Sequence, residues 1–485
     1  MSKLALRSKQ VVRKEILLKE YPVQETHSLA ETDFAKSENP VLKQARKPEK
    51  PFPRLSEPEL MRHFHRLAKT NYSWDDGLYP LGSCTMKYNP LLNEKLAADP
   101  RLVHAHPALP VEFNQAVLRI IFETEQMIKS LLDLAAVTLQ PAAGAHGELI
   151  GVFMMRAYFK QKKERRSKIL VPDSAHGTNP ASAAMAGFET IKIPTKDRGL
   201  TDIEALKNAL NSDVAALMMT NPNTMGLFET SIVEIKQLLE KNGSLLYVDG
   251  ANLNALVGKV SFSAMGVDLT QLNLHKTFST PHGGGGPGQG ALGCSERMMP
   301  FLPAQQIQRI EAKGNVRYEF FNPAHHVGRI KAWYGQFGNI LRAWAYINSW
   351  GNQSRVMAET AVLNANYLRA HLKDLLSLAS AEPSMHEAVF SQNALQKHGL
   401  TTANLAKSLL DYGFYAPTIY FPLNIPGAIM IEPTESESKQ EMDLFIESIK
   451  EIIANPDMHK HGAQHSFVTH IDEIGAARSP KLTWA

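Results

Sequence analysis

Strand-like and helix-like segments alternate along residues 168–248, and this alternation limits the chain to few architectures. Short apolar runs are separated by stretches with helical spacing of their apolar residues. Parallel strands need long crossover connections, so the pattern favours a mostly parallel sheet covered by helices, an α/β fold. The predicted strands are 169–171, 190–193, 215–219 and 245–248, and the predicted helices between them are 180–187, 203–210 and 232–242.

Polar clusters follow four predicted strand ends. They are DSAH at 173–176, TNPNT at 220–224, DGAN at 249–252 and HK at 275–276. Ligands of open α/β sheets bind at the carboxyl ends of the strands. One such cluster could be a helix cap, but four of them predict one shared pocket.

Asp249 and Lys276 lie in two of these clusters, 27 residues apart. Lys276 follows the apolar segment 267–274 and precedes a glycine-rich run, so it is held on a rigid element, where a lysine can lose hydration and attack a carbonyl carbon. Pyridoxal phosphate (PLP) needs such a lysine for its aldehyde and an acidic partner for its ring nitrogen. A lone lysine beside a glycine turn is more often a surface residue, but Asp249 favours a PLP site.

A turn of small residues at 141–147 separates a predicted strand at 137–139 from an apolar helical run at 148–159. A longer amphipathic helix is predicted before it, at 111–134. Free backbone N–H groups and the positive end of a helix dipole suit a phosphate group. Gly144, Ala145 and His146 are therefore candidate cofactor-binding residues, and the alternative is a tight turn without a ligand.

Four segments together closely resemble the P-protein family of the glycine cleavage system. They are YPLGSCTMKYNP at 79–90, QPAAGAHGE at 140–148, DSAHGTNP at 173–180 and NLHKTFSTPHGGGGPG at 273–288. The resemblance spans residues 72–433. Within the family, the chain resembles the second subunit, which is equivalent to the C-terminal half of the long single-chain form. It implies the PLP-dependent fold type I, or aminotransferase-like fold, with a large, mostly parallel sheet domain and a smaller C-terminal α+β domain.

The resemblance implies three catalytic residues, which are Lys276, Asp249 and His176. Lys276 is expected to carry the cofactor, and Asp249 to keep its ring nitrogen protonated so that the ring accepts electrons. His176 is expected to stack on the ring and limit the access of water. A histidine that opens a helix is more often a cap, and that interpretation stays open for His176.

Further residues are expected to bind the cofactor. Asn221 or Asn223 is placed to bond the 3-oxygen of the ring, and the sequence leaves the choice open. Ala251 is small enough for the ring to lie flat on the backbone, and Asn252 is expected near the substrate side. His275 is expected to contact the phosphate.

The implied reaction is the decarboxylation of glycine with transfer of its aminomethyl group to the lipoyl arm of H-protein, which releases CO2. The implied assembly is a heterotetramer of two first and two second subunits. Two alternatives remain. Another PLP enzyme of this fold, such as an amino-acid decarboxylase or a cysteine desulfurase, would keep Asp249 and Lys276, whereas a non-catalytic relative should have lost one of them.

Composition excludes several other classes of protein. A net charge of +4 on 485 residues does not suggest nucleic acid as a partner, and no apolar run approaches the ~20 residues needed to cross a membrane. Two cysteines, Cys84 and Cys294, are too few for a disulfide scaffold or a zinc site. A reducing cytoplasm fits best, and the family resemblance implies a prokaryotic one, because free-standing second subunits are typical of prokaryotes. The basic, acid-free residues 1–14 weakly resemble a mitochondrial presequence, which is the alternative.

We expect three parts in the chain. Residues 1–70 form an extended polar arm and a helix at 57–69, and residues 71–350 form the large PLP-binding domain, which ends in a long helix at 328–350. Residues 351–485 form the small α+β domain and a tail. In the small domain the predicted strands are 387–390, 418–421 and 428–431, and the predicted helices include 403–412 and 439–453.

Some pattern matches point elsewhere and are rejected. Residues 283–288 and 288–293 both fit the dinucleotide pattern Gly-x-Gly-x-x-Gly, but neither lies between a strand and an opening helix. These glycines are expected to permit a close backbone approach beside the cofactor. The histidine pairs at 325–326 and 459–461 have no accompanying cysteine or carboxylate pattern, so no metal is expected.

Overall fold

The computed structural model describes residues 55–196, 199–282, 288–465 and 472–480. The predicted polar arm at 1–54 and the predicted close approach of glycines 283–287 to the cofactor lie outside the described residues. The domain boundaries expected from the sequence, 1–70, 71–350 and 351–485, stay a prediction.

A seven-stranded sheet forms the centre of the large domain. Its strands are β1 (Ala136–Thr138), β2 (Lys168–Pro172), β3 (Glu189–Ile193), β4 (Val214–Thr220), β5 (Leu245–Gly250), β6 (Leu269–Asn273) and β7 (Gly290–Cys294). Their order across the sheet is β1-β7-β6-β5-β4-β2-β3. From β6 to β3 all neighbours run parallel, whereas β7 runs antiparallel to both of its neighbours. The mostly parallel sheet is confirmed, but β7 was not predicted.

Helices connect these strands and cover the sheet. They are α1 (Glu57–Ala68), α2 (Leu91–Ala97), α3 (Pro100–Val103), α4 (Gln115–Leu132), α5 (Gly144–Gln161), α6 (Thr178–Met185), α7 (Ile203–Ala209), α8 (Ile232–Asn242), α9 (Leu274–Thr277) and α10 (Phe337–Trp350). The predicted helix at 328–350 was wrong in its first nine residues, where Gly328 and Gly335 adopt φ of 95° and 118°. Positive φ is incompatible with a helix, so α10 begins only at Phe337.

Both faces of the main sheet are buried, which explains why its central strands are apolar throughout. Successive side chains of a strand point to opposite faces. Leu217 and Val248 accordingly enter a core with residues of α4 and α8, whereas Met218 and Tyr247 enter a second core with residues of α5. Side chains that alternate along β4 and β5 therefore pack against a helical layer on each face of the sheet.

A hairpin that the sequence did not predict follows the main sheet. Strands β8 (Gln306–Ala312) and β9 (Asn315–Phe321) pair with each other and with no other strand of the described chain. The two residues between them, Lys313 and Gly314, have φ of 52° and 78°. Positive φ at both central positions is typical of a two-residue turn that matches the twist of its strands.

The C-terminal part has its own sheet and its own core. Its strands are β10 (Ser377–Leu378), β11 (Ala388–Ser391), β12 (Thr418–Ile419) and β13 (Ile429–Ile431), which pair antiparallel in the order β10-β11-β13-β12. Its helices are α11 (Ser354–Leu372), α12 (Asn393–Lys397), α13 (Thr402–Asp411), α14 (Lys439–Ala454), α15 (Pro456–His459) and α16 (Glu473–Arg478). This small α+β domain is confirmed, whereas β10, α12, α15 and α16 were not predicted.

The loop at 79–90 is fastened to the small sheet. Leu81 forms a bridge with Ile431, and the Gly82 carbonyl accepts a hydrogen bond from the Thr418 hydroxyl at 2.7 Å. A Cβ atom at Gly82 would lie 2.2 Å from Cγ of Met430, so only glycine permits this approach. The loop therefore lies between the small domain and the carboxyl edge of the main sheet.

Candidate cofactor site

Asp249 lies between two polar residues of neighbouring strands at the carboxyl edge of the main sheet. It is in register with Thr220 on β4 and Gln271 on β6. Its buried carboxyl group accepts hydrogen bonds from Gln271 Nε2, from the backbone N–H of Ala251 at 2.9 Å and from the Thr220 hydroxyl at 3.5 Å. Parallel pairing thus brings together the polar clusters at 220–224 and 249–252.

A second buried carboxyl group, that of Glu148, lies near Asp249 and was given no role from the sequence. It accepts hydrogen bonds from the Thr178 hydroxyl at 2.8 Å and from Gln271 Nε2 at 3.5 Å. Burial, with the neighbouring Asp249 charge, raises the pKa of Glu148 to about 8, so at neutral pH this group is mostly protonated. Its position one helical turn after Gly144 could have indicated that it faces the same pocket.

His176 follows β2 and is held at two points. Its backbone N–H donates to the Thr220 hydroxyl at 3.1 Å, and its ring Nδ1 lies 2.8 Å from Oγ1 of Thr178. The Thr178 backbone N–H also donates to Nδ1 at 3.3 Å, so His176 does help to cap α6. Burial lowers the pKa of His176, although Asp249 opposes this effect. The stacking role stays a prediction.

Lys276 lies on the short helix α9, directly after β6. Its Nζ donates a hydrogen bond to the Ser83 carbonyl at 2.8 Å. Ser83 has a φ of 65°, an uncommon conformation for a residue other than glycine. The structure therefore places the loop at 79–90 against the predicted catalytic lysine.

Cys84 is the next residue of that loop. Its Sγ lies 3.7 Å from Nδ1 of His282, and burial raises the pKa of the thiol. A thiol at this position is close to the site but is not activated by its surroundings.

Helix α5 begins at Gly144, four residues before the predicted start, so the small-residue turn forms its first turn. The first N–H groups of a helix have no partner within it. A Cβ atom at Gly144 would lie 2.2 Å from Oδ1 of Asn273, and Nδ2 of Asn273 lies 3.2 Å from Nε2 of His275. The structure thus brings the start of α5 and His275 to one corner of the site.

The rings at this corner are neutral. His146 uses Nδ1 to accept a hydrogen bond from the Ala142 N–H at 3.1 Å, and burial lowers its pKa. Burial, and next the neighbouring His282, lowers the pKa of His275 to about 4. Ala145 is exposed on the first turn of α5. A phosphate here would meet hydrogen-bond donors rather than charged imidazoles.

The structure distinguishes the two asparagines that the sequence left open. Asn223 uses its whole side chain to hold a turn, because Nδ2 donates to the Gly199 carbonyl and Oδ1 accepts from two backbone N–H groups. Asn221 accepts only from the Glu229 N–H at 3.0 Å, and its buried Nδ2 has no partner among the described residues. Asn252 donates to the Pro222 carbonyl at 2.9 Å. Of the two candidates, only Asn221 has a free donor.

Three fully buried residues of the small domain, His386, Glu387 and Glu432, lie on the far side of Ser83 from Lys276. Oε2 of Glu387 accepts a hydrogen bond from the Ser83 N–H at 2.7 Å, and Oε1 of Glu432 accepts one from the Thr85 hydroxyl at 2.5 Å. No role was predicted for them. The available signal was weak, since the two glutamates only flank predicted apolar strands.

The described residues give limited evidence on metals and membranes. In those ranges, His386, Glu387 and Glu432 form the only group of three or more potential ligands with the spacing of a metal site, and the pairs at 325–326 and 459–461 are not part of it. No helix in the described parts of the chain combines the length and apolar character that crossing a bilayer requires.

Comparison with known proteins agrees with this geometry. A family model described as glycine dehydrogenase, C-terminal domain, matches residues 357–472, and one described as aminotransferase class-V matches residues 150–304. The chain is 47% identical over 448 residues to probable glycine dehydrogenase (decarboxylating) subunit 2 of Pyrococcus furiosus, covering 90% of this chain and 89% of that protein. The chain belongs to the glycine dehydrogenase (decarboxylating) subunit 2 family. The family member from Thermotoga maritima is 46% identical to this chain over 439 residues, which cover 89% of this chain and 92% of the Thermotoga protein.

Solved structures agree with the fold of this family. A crystal structure of glycine decarboxylase (P-protein) of the glycine cleavage system, in inhibitor-bound form, superposes with a TM-score of 0.71 at 20% identity, covering 86% of this chain and 94% of that chain. Glutamate decarboxylase of Lactobacillus brevis superposes with a TM-score of 0.64 at 14% identity, covering 86% and 97%. At these identities the likeness concerns the fold alone, and it confirms the aminotransferase-like architecture.

Proposed function

We propose that this chain is the PLP-binding subunit of a glycine dehydrogenase (aminomethyl-transferring). The enzyme decarboxylates glycine, transfers the aminomethyl group to the lipoyl arm of H-protein and releases CO2. The observation that carries the proposal is the meeting of Asp249 and Lys276 at one sheet edge in a chain of this family. Membership of the family also favours this reaction over an amino-acid decarboxylase, a cysteine desulfurase or a non-catalytic relative.

The donors around the pocket fit PLP. The free N–H groups at Gly144, Ala145 and His146 suit its phosphate, with His275 at the same corner. The buried Nδ2 of Asn221, without a partner in the described chain, suits an oxygen acceptor on the ring. When bound, PLP supplies a ring that accepts the electron pair of the breaking carbon–carbon bond.

The residues of the chain orient the cofactor and tune its charge. Lys276 would hold the aldehyde carbon of PLP through Nζ, and the Ser83 carbonyl fixes the position of that nitrogen. Asp249, held by Gln271 and the Ala251 N–H, would accept a hydrogen bond from the protonated ring nitrogen and so stabilise its protonated form. Because Glu148 is mostly protonated, the negative charge of Asp249 faces no second full charge.

Two further residues shape the space around the ring. His176 would cover one face of the ring and exclude water, and Ala251 would leave room for the other face. Asn252, whose Nδ2 donates to the Pro222 carbonyl, would lie on the substrate side. A preorganised pocket of this kind stabilises the developing charge without having to rearrange during the reaction.

The family's name implies a first subunit as partner. We assign to this chain a heterotetramer of two first and two second subunits, with lipoyl H-protein as co-substrate and the prokaryotic cytoplasm as its location. Neither nucleic acid nor a membrane is a partner.

The lysine assignment is tested by absorbance spectra of the purified chain with PLP, before and after borohydride reduction, for wild type and Lys276→Ala. Wild type should show absorbance of lysine-bound PLP that reduction makes permanent, and the variant should not. Lys259→Ala is the matched control, because Lys259 is a surface lysine paired with Glu359. Identical spectra for wild type and Lys276→Ala would refute the assignment.

The reaction itself is tested by adding labelled glycine, the first subunit and lipoyl H-protein. CO2 release should depend on the lipoyl arm. CO2 release that is independent of H-protein would point to a simple amino-acid decarboxylase, and sulfur release from cysteine would point to a desulfurase.

A further inference from the structure

Glu387 and Glu432 are brought together by the register of two antiparallel strands. Ala388 on β11 is paired with Ile431 on β13, so the residues just beyond this pair, Glu387 and Glu432, lie opposite each other. Potential ligand atoms of His386, Glu387 and Glu432 all lie within 4.8 Å of one another, and all three residues are fully buried. Close carboxyl groups in a dry environment cannot both remain ionised at low cost.

Four polar atoms of this cluster have no hydrogen-bond partner among the described residues. They are Nδ1 and Nε2 of His386, Oε1 of Glu387 and Oε2 of Glu432. Nε2 of His386 lies 3.8 Å from Oε2 of Glu387. Buried polar groups are nearly always satisfied, so these atoms indicate a shared proton or a bound ligand that completes the cluster.

The cluster and Lys276 bond the two backbone groups of one residue, Ser83. Glu387 accepts a hydrogen bond from the Ser83 N–H, and Lys276 donates one to the Ser83 carbonyl. All three residues of the cluster lie within electrostatic reach of the Lys276 ammonium group. The cluster is therefore placed to influence the nitrogen that carries the cofactor.

The charges nearby favour one negative charge in the cluster. Burial raises the pKa of Glu432 to about 7, and burial with the Glu432 charge raises that of Glu387, whereas burial lowers the pKa of His386 to about 3. His386 is therefore neutral and adds no charge. The other titratable groups that face the cluster or Lys276 are Lys87, Glu435, Cys84, His282, His275, His176, Glu148 and Asp249.

We propose that Glu387 and Glu432 share one proton and, with neutral His386, keep a single negative charge beside Ser83 as a counter-charge for Lys276. The two glutamates are positioning residues that act through Ser83. The counter-charge holds the lysine nitrogen in place and favours its protonated form. This role depends on the proposed function in one respect: its first test uses PLP bound to Lys276 as the reporter.

The test is a pH titration of the absorbance of lysine-bound PLP, without glycine or H-protein, in four chains: wild type, Glu387→Gln, Glu432→Gln and the double variant. A glutamine beside a carboxylate has the same charge as a pair that shares one proton. Each single variant should therefore titrate within about 0.3 units of wild type. The double variant loses the charge, and its midpoint should fall by about one unit, as expected for a unit charge within roughly 10 Å at an effective dielectric constant of about 20.

Other patterns overturn the proposal. If each single variant lowers the midpoint by about one unit, both carboxyl groups are ionised in wild type. If the double variant titrates like wild type, the cluster carries no charge that Lys276 senses. If the purified wild-type chain contains one divalent metal ion per chain and the glutamine variants contain none, the cluster is a metal site instead.

A second readout needs neither PLP nor activity. Infrared difference spectra of the chain without cofactor should show, at neutral pH, a protonated-carboxyl band that is lost in each single variant and in the double variant, because the carboxyl group left in a single variant is ionised. Glu125→Gln is the matched control, because Glu125 is a buried protonated carboxyl group on α4 that accepts from the Leu139 N–H and does not face Lys276. It should remove a band of its own and leave the titration unchanged. If none of the Glu387 and Glu432 variants loses such a band, the shared proton is refuted. This result does not depend on PLP, whereas failure of PLP to bind Lys276 would refute the proposed function.

Discussion

Lys87 is a fully buried cation that ties the loop at 79–90 to both domains. Its Nζ donates to Oε1 of Glu435 at 2.5 Å, to the Thr277 carbonyl at 2.8 Å and to Oδ1 of Asn254 at 2.8 Å, and it lies 3.5 Å from the sulfur of Met357. The exposed fractions of the two charged side chains are 1% and 4%. Burial lowers the pKa of Lys87, and the Glu435 charge opposes that effect.

We predict that Lys87→Met destabilises the chain by about 3–5 kcal/mol, the usual effect of removing one partner from a buried ion pair. The substitution leaves the Glu435 carboxylate in a dry site with only the Tyr346 hydroxyl and Asn254 Nδ2 as donors. Lys87→Met/Glu435→Gln should recover most of the loss, because it removes the unpaired charge. Since Lys87 also bonds the carbonyl next to Lys276, the single variant should bind PLP more weakly.

Urea unfolding of the four chains of this cycle, followed by far-UV circular dichroism and by PLP absorbance, measures both effects. Lys439→Met is the control, because Lys439 forms an exposed ion pair with Asp443 and its removal should cause no measurable change. The reasoning is refuted if Lys87→Met is no more destabilising than this control, or if the double variant is less stable than Lys87→Met.

Three further substitutions test separate parts of the structure. Asn221→Ala should weaken PLP binding in a fluorescence titration with little effect on stability. Asn223→Ala should instead lower the melting temperature, because it removes three hydrogen bonds from a turn. If the two variants change PLP affinity and melting temperature equally, the proposed role of Asn221 is wrong. Gly82→Ala should displace the loop at 79–90 and reduce the absorbance of lysine-bound PLP, because its Cβ would clash with Met430. Gly338→Ala is the control: its Cβ would make only an ordinary 3.4 Å contact with Arg342, so the absorbance should stay unchanged. Burial raises the pKa of Glu125 from 4.5 to about 8, so between these values the folded chain retains a proton that the unfolded chain releases, and stability should fall as the pH rises. Glu125→Gln should make that fall smaller in melting curves at several pH values, and the buried Glu148 and Glu432 should cause the remainder.

Local patterns were sufficient for most of the secondary structure. The predicted helix at 232–242 has these bounds in the structure, and the predicted strands of the main sheet lie within one or two residues of the observed ones. Strand β7 was missed because its sequence, GALGC, lacks the β-branched and aromatic residues that mark strands. It is a strand because β1 and β6 supply hydrogen-bond partners on both sides, and no local signal reports such neighbours.

The sequence by itself determined the fold class, the family and the meeting of Asp249 with Lys276, because these depend on periodicity, on local motifs and on the rule that parallel strand ends share one edge. Only the tertiary structure shows that a turn already uses the Asn223 amide, whereas the buried Nδ2 of Asn221 has no partner among the described residues. It alone also placed Glu148 near Asp249, and His386, Glu387 and Glu432 beside Ser83. The reason is that burial and strand register are set by contacts between residues far apart in the chain, and buried carboxyl groups take their charge from those contacts.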